Sequence, residues 1–401
     1  MLDESRRSIC MLLHSNYDTD ARVKREARHF APRVRIRIIQ MAERDQEPGV
    51  REEAGVEIER FQIGTRDLPQ SSFYWGIKFL ELTLRMAWRA SRTRPSAYHA
   101  NDLIMVPAAI LASWVHRAPV VYDSHELWTE TAEHTHTRRR FWLAVERWVL
   151  PRVTAVIAVN QSRAEVMVSE LGSPKPFVIP NYPRHQPLSA LPAPESSPLR
   201  KFVREKGRGD AAILLYQGVI ADSRNLDRVI AAMAHVRTPV VLVLLGGQSA
   251  VSRKFEAQAA SLGVADRVLF HDRIDSDLLP AYTVGADAGL VTYAETPRNN
   301  YLCAPNKLFE YCMAGVPVVG CAFPEVTRVM QAYPIGESFE NSKPEVIAAA
   351  IDRLMGDRDR LARAREATLA VREKFHWDAV APELDRLYDR VFAGERRVTP
   401  D

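Results

Sequence analysis

The sequence predicts an α/β protein made of two doubly wound, Rossmann-like parallel-sheet domains facing a cleft. Three observations carry this expectation. Short apolar runs alternate with amphipathic stretches of helical length from residue 8 onward. The alternation stops at "PRHQPLSALPAPESSPLRKF", residues 183–202, whose proline, serine and alanine content marks a linker. It then restarts and runs to a helical tail. Strand–helix repetition on both sides of a linker means two parallel sheets, and ligands of such sheets sit at the carboxyl ends of the strands. The boundaries expected are 1–185 for the first domain, 186–208 for the linker and 209–377 for the second. A terminal helix over about 378–395 is expected to pack back on the first domain.

In the first half, "SICMLLHS" is a buried strand, and "DTDARVKREARHFAP" is a helix opened by an Asp or Thr cap. "VRIRIIQM" and "GVEIERFQI" are strands, and residues 71–94, "SSFYWGIKFLELTLRMAWRASRTR", form a long amphipathic helix. Strand "AYHAND", helix "LIMVPAAILASWVHR" and strand "APVVYDSHE" follow, then helix "RRRFWLAVERWVLPR", strand "VTAVIAVNQ" and helix "SRAEVMVSELG". After the linker come strands "AAILLYQGVI", "VVLVLLGG", "RVLFHDRI", "ADAGLVTY" and "VPVVGCA", with helices between them. Residues 344–394 are all helix.

Composition narrows the function classes. At 401 residues the chain has room for two domains, and 46% hydrophobic with 26% charged residues is a globular balance. The net charge is +4, carried as roughly +4 on residues 1–198. Nucleic-acid binders show a larger or more clustered excess, so nucleic acid is not an expected partner. "MLDESRRSICMLLHSNY" has too short an apolar run for a signal peptide, and no stretch approaches the ~20 apolar residues of a membrane span. The four cysteines, Cys10, Cys303, Cys312 and Cys321, lack metal spacing and read as reduced thiols, which suits a cytoplasmic protein. The aromatic and basic helix at 71–94 fits either a half-buried core helix or a peripheral contact at the inner face of a membrane.

The stretch "APNKLFEYCMAGVPVVG", residues 304–320, shows the local chemistry most clearly. Pro305 suits the first position of a helix, while Leu308, Phe309, Cys312 and Met313 form its buried stripe. Gly315 ends the helix before a strand at Val316–Val319. The helix N-terminus and Lys307 favour an anion; Glu310, one turn in, does not. A ligand carrying both phosphate and hydroxyls satisfies all three.

"PVVYDSHELWTE", "LLYQGVIADSRNLDRVI" and "APNKLFEYCMAGVPVVG" together resemble glycosyltransferase family 4, retaining enzymes of the GT-B fold, over nearly the whole chain. The resemblance implies a nucleoside diphosphate sugar held mainly by the C-terminal domain and an acceptor held mainly by the N-terminal one. No cofactor beyond that co-substrate is implied, and no metal. Glu310 matches the glutamate that holds the donor ribose, and a carboxylate does accept two vicinal hydroxyl protons. Lys307 and Arg224 match the basic pair on the diphosphate, with Gly218 allowing close approach beneath it. His125, just past strand "APVVYD", matches a histidine facing the donor sugar, with Asp123 and Glu126 beside it. "HE" followed by no second histidine at helical spacing ("ELWTETAEHTH") argues against a metal site.

Two departures stand out. The position eight before Glu310, a glutamate in the family pattern, is Leu302, where "RNNYLCAP" instead offers Arg298, Asn299, Asn300 and Tyr301 for the donor sugar; Asn306 is counted with Asn299 and Asn300 among the donor-binding residues. The first loop, "HSNYDTDARV", lacks the family's glycine pair and offers Asn16, Asp18 and Arg22 toward donor or acceptor, or as caps of the next helix. The function expected is retaining transfer of a sugar to an acceptor hydroxyl on a glycan, a lipid carrier or a small metabolite. A nucleotide-sugar 2-epimerase and a non-catalytic scaffold of the same fold are the alternatives. The sequence leaves the base, the sugar, the acceptor and the oligomeric state open.

Overall fold

The computed structural model describes residues 7–69, 71–131, 135–340 and 343–401. Residues 1–6, which belong to the stretch read for a signal peptide, and His134, which belongs to the metal-spacing reading, lie outside them. The chain divides into two compact units: residues up to Pro180 together with Val380–Asp401, and Asn181–Ala379.

The first unit runs β1 (Ser8–Leu13), α1 (Ala21–Phe30), β2 (Arg35–Met41), β3 (Gly49–Glu53), β4 (Val56–Phe61), α2 (Ser72–Thr93), β5 (Ala97–Asn101), α3 (Val106–His116), β6 (Val120–Ser124), α4 (His136–Val149), β7 (Ala155–Ala158), α5 (Gln161–Leu171) and β8 (Phe177–Val178). Its eight strands lie in the order β3-β4-β2-β1-β5-β6-β7-β8, parallel except for β3, which pairs antiparallel with β4. β5, β6 and β7 are buried along their whole length, as strands covered on both faces must be. Asp20 caps α1, its carboxylate accepting from the Val23 N–H at 3.1 Å. The strand order reverses between β1 and β5, so the loops after β1, β5 and β6 share one sheet edge.

The second unit runs α6 (Pro198–Glu205), β9 (Ala212–Gln217), α7 (Leu226–Ala232), β10 (Val240–Leu245), α8 (Ala250–Ser261), β11 (Val268–His271), α9 (Leu279–Thr283), β12 (Ala288–Val291), α10 (Arg298–Tyr301), α11 (Asn306–Met313), β13 (Val318–Cys321), α12 (Pro324–Ala332), β14 (Gly336–Phe339), α13 (Pro344–Met355) and α14 (Arg358–Val371). Six parallel strands lie in the order β11-β10-β9-β12-β13-β14, with the switch point between β9 and β12. A last helix, α15 (Trp377–Phe392), belongs to the first unit from Val380 onward. There Tyr388 hydrogen-bonds His99 at 2.7 Å, and Asp385 takes His29 at 2.8 Å.

The structure corrects several expectations. Residues 186–208 are not a bare linker: Ser197 caps α6, whose Leu199 and Val203 enter the core of the second unit beside Ile213 and Leu215. Pro198 stands at the helix start, where its missing N–H leaves no bond unmade. β3 and β14 were not expected; the helical tail is made of α13, α14 and a last helix.

Candidate active site

In the second unit the site is built at the switch point. β9 delivers Tyr216 and Gln217 and is followed by Gly218, whose φ of +123° is a conformation that side-chain-bearing residues avoid. The chain then turns through Asp222–Arg224 into α7. α11 is seated by Tyr311, whose hydroxyl donates to Leu215 O at 2.7 Å and accepts from the Gln217 N–H at 3.2 Å. Gly289 on β12 leaves the room: a Cβ there would lie 2.3 Å from the Tyr311 ring. Pro305 is the residue before the helix rather than its first, and the helix opens at Asn306.

This seating buries Lys307. Its ammonium lies 4.0 Å from the centre of the Tyr216 ring and 4.9 Å from that of Tyr293, and the Arg224 guanidinium lies 4.4 Å over the same Tyr293 ring. Neither cationic head has a hydrogen-bond or ion-pair partner among the described residues. Burial, then the neighbouring Arg224 charge, pull the Lys307 ammonium down to about 7, against an opposing pull from Glu310. The aromatic faces hold the two cations by cation–π attraction while leaving their donors unused. Gly218 faces this ammonium: a Cβ on it would stand 3.7 Å from Lys307 Nζ.

Glu310 accepts from Gln217 Nε2 at 2.6 Å, and Gln217 Oε1 accepts from Thr283 at 2.9 Å. The carboxylate is therefore held from behind. Asn300 reaches Ser223 O at 3.4 Å, tying α10 to the loop that carries Arg224, and the Ala294 N–H donates to the same oxygen at 3.0 Å. Asn299 is buried; Asn306 is exposed, its carbonyl accepting from Asn181 at 3.1 Å. Leu302 is buried and packs into the unit. The structure thus gathers Gly218, Arg224, Lys307 and Glu310 at one switch point. Tyr216, Tyr293, Gln217 and Thr283 were missed in the sequence. Two of them, Tyr216 and Gln217, end a strand whose next residue is the glycine already singled out.

The first unit carries a buried charge network. Asp123, fully buried, takes a bidentate pair of 2.9 Å bonds from Arg22, and Arg22 also donates to Ile179 O at 2.8 Å and stands 3.1 Å from Glu26. Although burial works against ionisation, Arg22 and His125 hold the Asp123 carboxyl well below the usual carboxylate range. His125 Nε2 lies 3.1 Å from Asp123, and Nδ1 lies 3.6 Å from Asp102. Burial disfavours the imidazolium, but these two carboxylates outweigh it and lift His125 to about 10. Burial raises Asp102 to about 6. Asp102 itself has φ +63° and ψ 157°, strained for a residue with a side chain, and its carboxylate accepts the His125 backbone N–H at 3.2 Å.

These contacts revise the reading of the first loop. Arg22 is buried as an interior counter-ion, because Asp123 and Glu26 would otherwise be buried unpaired. Asn16 is also buried, its side-chain oxygen accepting from the Asp18 N–H at 3.0 Å, and Asp18 pairs with Arg51 and Arg60 of β3 and β4. Asp123 is the centre of this network. Glu126 is exposed. The His125 backbone N–H is already engaged, so it is not free to meet a developing charge. Glu26, His99 and Asp123 form a buried group with metal-ligand geometry that the sequence did not suggest. The Arg22 guanidinium already lies on both of its carboxylates, where an ion's charge would go.

With this geometry in place, the comparisons decide the class. A Glycosyl transferase 4-like domain matches residues 19–182, and a Glycosyl transferases group 1 domain matches residues 200–370. The protein is a glycosyltransferase. It is 26% identical over 337 residues to a D-inositol 3-phosphate glycosyltransferase of Xylanimonas cellulosilytica, covering 72% of this chain and 76% of that one. A teichuronic acid biosynthesis glycosyltransferase of Bacillus subtilis, itself named as putative, is 25% identical over 245 residues, 59% of this glycosyltransferase and 58% of its own length. Sucrose-phosphate synthase from Thermosynechococcus elongatus superposes with a TM-score of 0.76 at 18% identity, covering 97% of this chain and 100% of that one. An Anabaena protein solved with UDP-glucose superposes with a TM-score of 0.72 at 16% identity, over 95% and 99%. These structures share the GT-B fold with this glycosyltransferase.

Proposed function

We propose that the protein transfers a sugar, a hexose by the family resemblance, from a nucleoside diphosphate sugar to an acceptor hydroxyl, with retention of anomeric configuration and without a metal ion. The observation that carries the reading is the pair Lys307 and Arg224: two adjacent cations, one buried, with no anionic partner among the described residues. Such a pair is destabilising in the empty protein unless a dianionic group joins it. A diphosphate over Gly218, at the N-terminus of α11, supplies that charge. As the sugar–phosphate bond breaks, charge grows on the diphosphate, and these groups stabilise it more in the transition state than before it. Glu310, backed by Gln217, takes the ribose hydroxyls, and Asn300 with Asn299 and Asn306 takes the sugar side in place of a glutamate at Leu302. His125 acts through its charge. An imidazolium with an ordinary value lifted to about 10 does not serve as a base near neutrality.

Similarity to a protein solved with UDP-glucose supports a uridine donor as the first to try. The acceptor is a glycan, lipid-linked or small-molecule hydroxyl, and a cytoplasmic location fits a soluble nucleotide-sugar pool. The test is to incubate the protein with UDP- and GDP-sugars and acceptor pools, following diphosphate release and the anomeric proton of any product by NMR. Release with an α-to-α product supports the proposal. An epimerised donor, an inverted product, or no turnover with any donor contradicts it.

A further inference from the structure

α2 is apolar on two sides. Leu82, Met86 and Ala90 are buried against the unit, yet Phe73, Leu80, Leu84 and Trp88 are exposed. At 3.6 residues per turn these four lie within about 80° of one another, a stripe along four turns. Phe73 is 72% and Trp88 56% exposed. The stripe is not isolated. His116 at the end of α3 hydrogen-bonds Ser91 O at 2.7 Å, which brings exposed Trp114 (63%) and Val115 beside α2. Trp114 in turn meets Trp148 of α4 edge-on, with ring centres 6.5 Å apart. Single exposed apolar residues are ordinary; a face shared by three helices marks an interaction surface.

Charge selects the partner. Residues 72–94, 106–117 and 136–152 hold eleven arginines and lysines against two glutamates; with Arg89 and Arg139 paired to Glu59 and Glu130 of neighbouring segments, +7 is left, where the whole chain is +4. The Arg92 guanidinium lies 4.7 Å over the Trp88 ring, and that of Arg152 lies 4.8 Å over Trp148. An arginine laid on a tryptophan suits a boundary where the ring enters acyl chains and the guanidinium meets phosphates. Among the described residues no helix is long and apolar enough to cross a membrane. We infer that this face of the first unit, α2 with the ends of α3 and α4, docks on the surface of an anionic lipid bilayer. The inference is independent of the donor site.

The test is co-sedimentation of the full chain with phosphatidylcholine vesicles, with and without phosphatidylglycerol. Binding should require the anionic lipid and weaken with salt. Trp88→Ser with Trp114→Ser, and separately Arg92→Glu with Arg147→Glu, should each lower the partition coefficient at least about tenfold. All four side chains are exposed, so circular dichroism should show these variants folded. Brominated lipids should quench the parent's tryptophan fluorescence more than that of the Trp pair variant. Absence of binding at low salt, or binding that both folded variants retain, overturns the inference. So does self-association abolished by the tryptophan pair without any vesicle binding, which would make the face a contact between copies.

Discussion

Raising the pH should weaken diphosphate binding, because Lys307 must gain a proton to receive the anion. Its ammonium is held at about 7 in the empty protein, against 10.5 ordinarily, by burial and Arg224. A bound diphosphate favours the charged form and lifts that value. Above about pH 7, binding therefore takes up a proton, and affinity falls with pH. Between about pH 6 and pH 8 the protonated fraction drops close to tenfold, which costs binding about 1.4 kcal/mol. The ligand's terminal phosphate loses its own last proton near pH 6, which acts the other way. Lys307→Arg, a cation throughout this range, supplies the reference. The assay is calorimetric titration of UDP in two buffers of different ionisation enthalpy. The parent should take up close to one more proton than Lys307→Arg near pH 8. Equal uptake by the two proteins would refute the reasoning, since Lys307 would then be charged before the ligand arrives.

His125 is raised to about 10 from an ordinary 6.5, so its stabilising charge is complete below about pH 6.5 and is lost as pH rises toward 10. Chemical denaturation across that window should show stability falling by up to about 1.4 kcal/mol per pH unit, with a smaller slope in His125→Gln. Gly289→Ala forces a methyl against the Tyr311 ring and should destabilise the second unit by roughly 1–3 kcal/mol, lowering its melting temperature and its UDP affinity together. Asn300→Ala should lower turnover more than UDP binding if the asparagine reads the sugar; equal losses in both would place its role on the nucleotide side. Glu310→Gln should weaken UDP by about 1.5–3 kcal/mol while leaving inorganic pyrophosphate binding unchanged, because the ribose is what it holds.

The strand–helix alternation was legible because most central strands are unbroken apolar runs, as in "VVLVLL" of β10 and "AILLY" of β9. β3 was not: "GVREE" is half-exposed at an edge and stabilised by its pairing with β4. β14, "GESF", is four residues with one buried. α6 hid among prolines, its signal reduced to a serine cap and three apolar residues, Leu199, Phe202 and Val203. In the site, Lys307 and Glu310 stood out by their place in the first turn of a helix, and Arg224 and Gly218 by the family resemblance; the four lie together because strand-end loops in a parallel sheet share one edge. The first loop failed for a long-range reason. Arg22 and Asp123 are 101 residues apart, and nothing local to "TDARV" tells that its helix arginine turns inward to a carboxylate on β6. Asp102 likewise gave no signal until its backbone strain and its bond to His125 were seen.

The central claim is that Lys307 and Arg224 form a diphosphate site kept ready in the empty second unit. Calorimetry of UDP and GDP against uridine and guanosine, on the parent and on Lys307→Met and Arg224→Met, tests it most directly. The account predicts that the parent prefers at least one diphosphate over its nucleoside by about 3 kcal/mol or more, two charged hydrogen bonds' worth. Each variant should lose a large part of that preference while retaining its weak nucleoside affinity. A parent that binds nucleoside and diphosphate alike, or variants that keep the full preference, would contradict it.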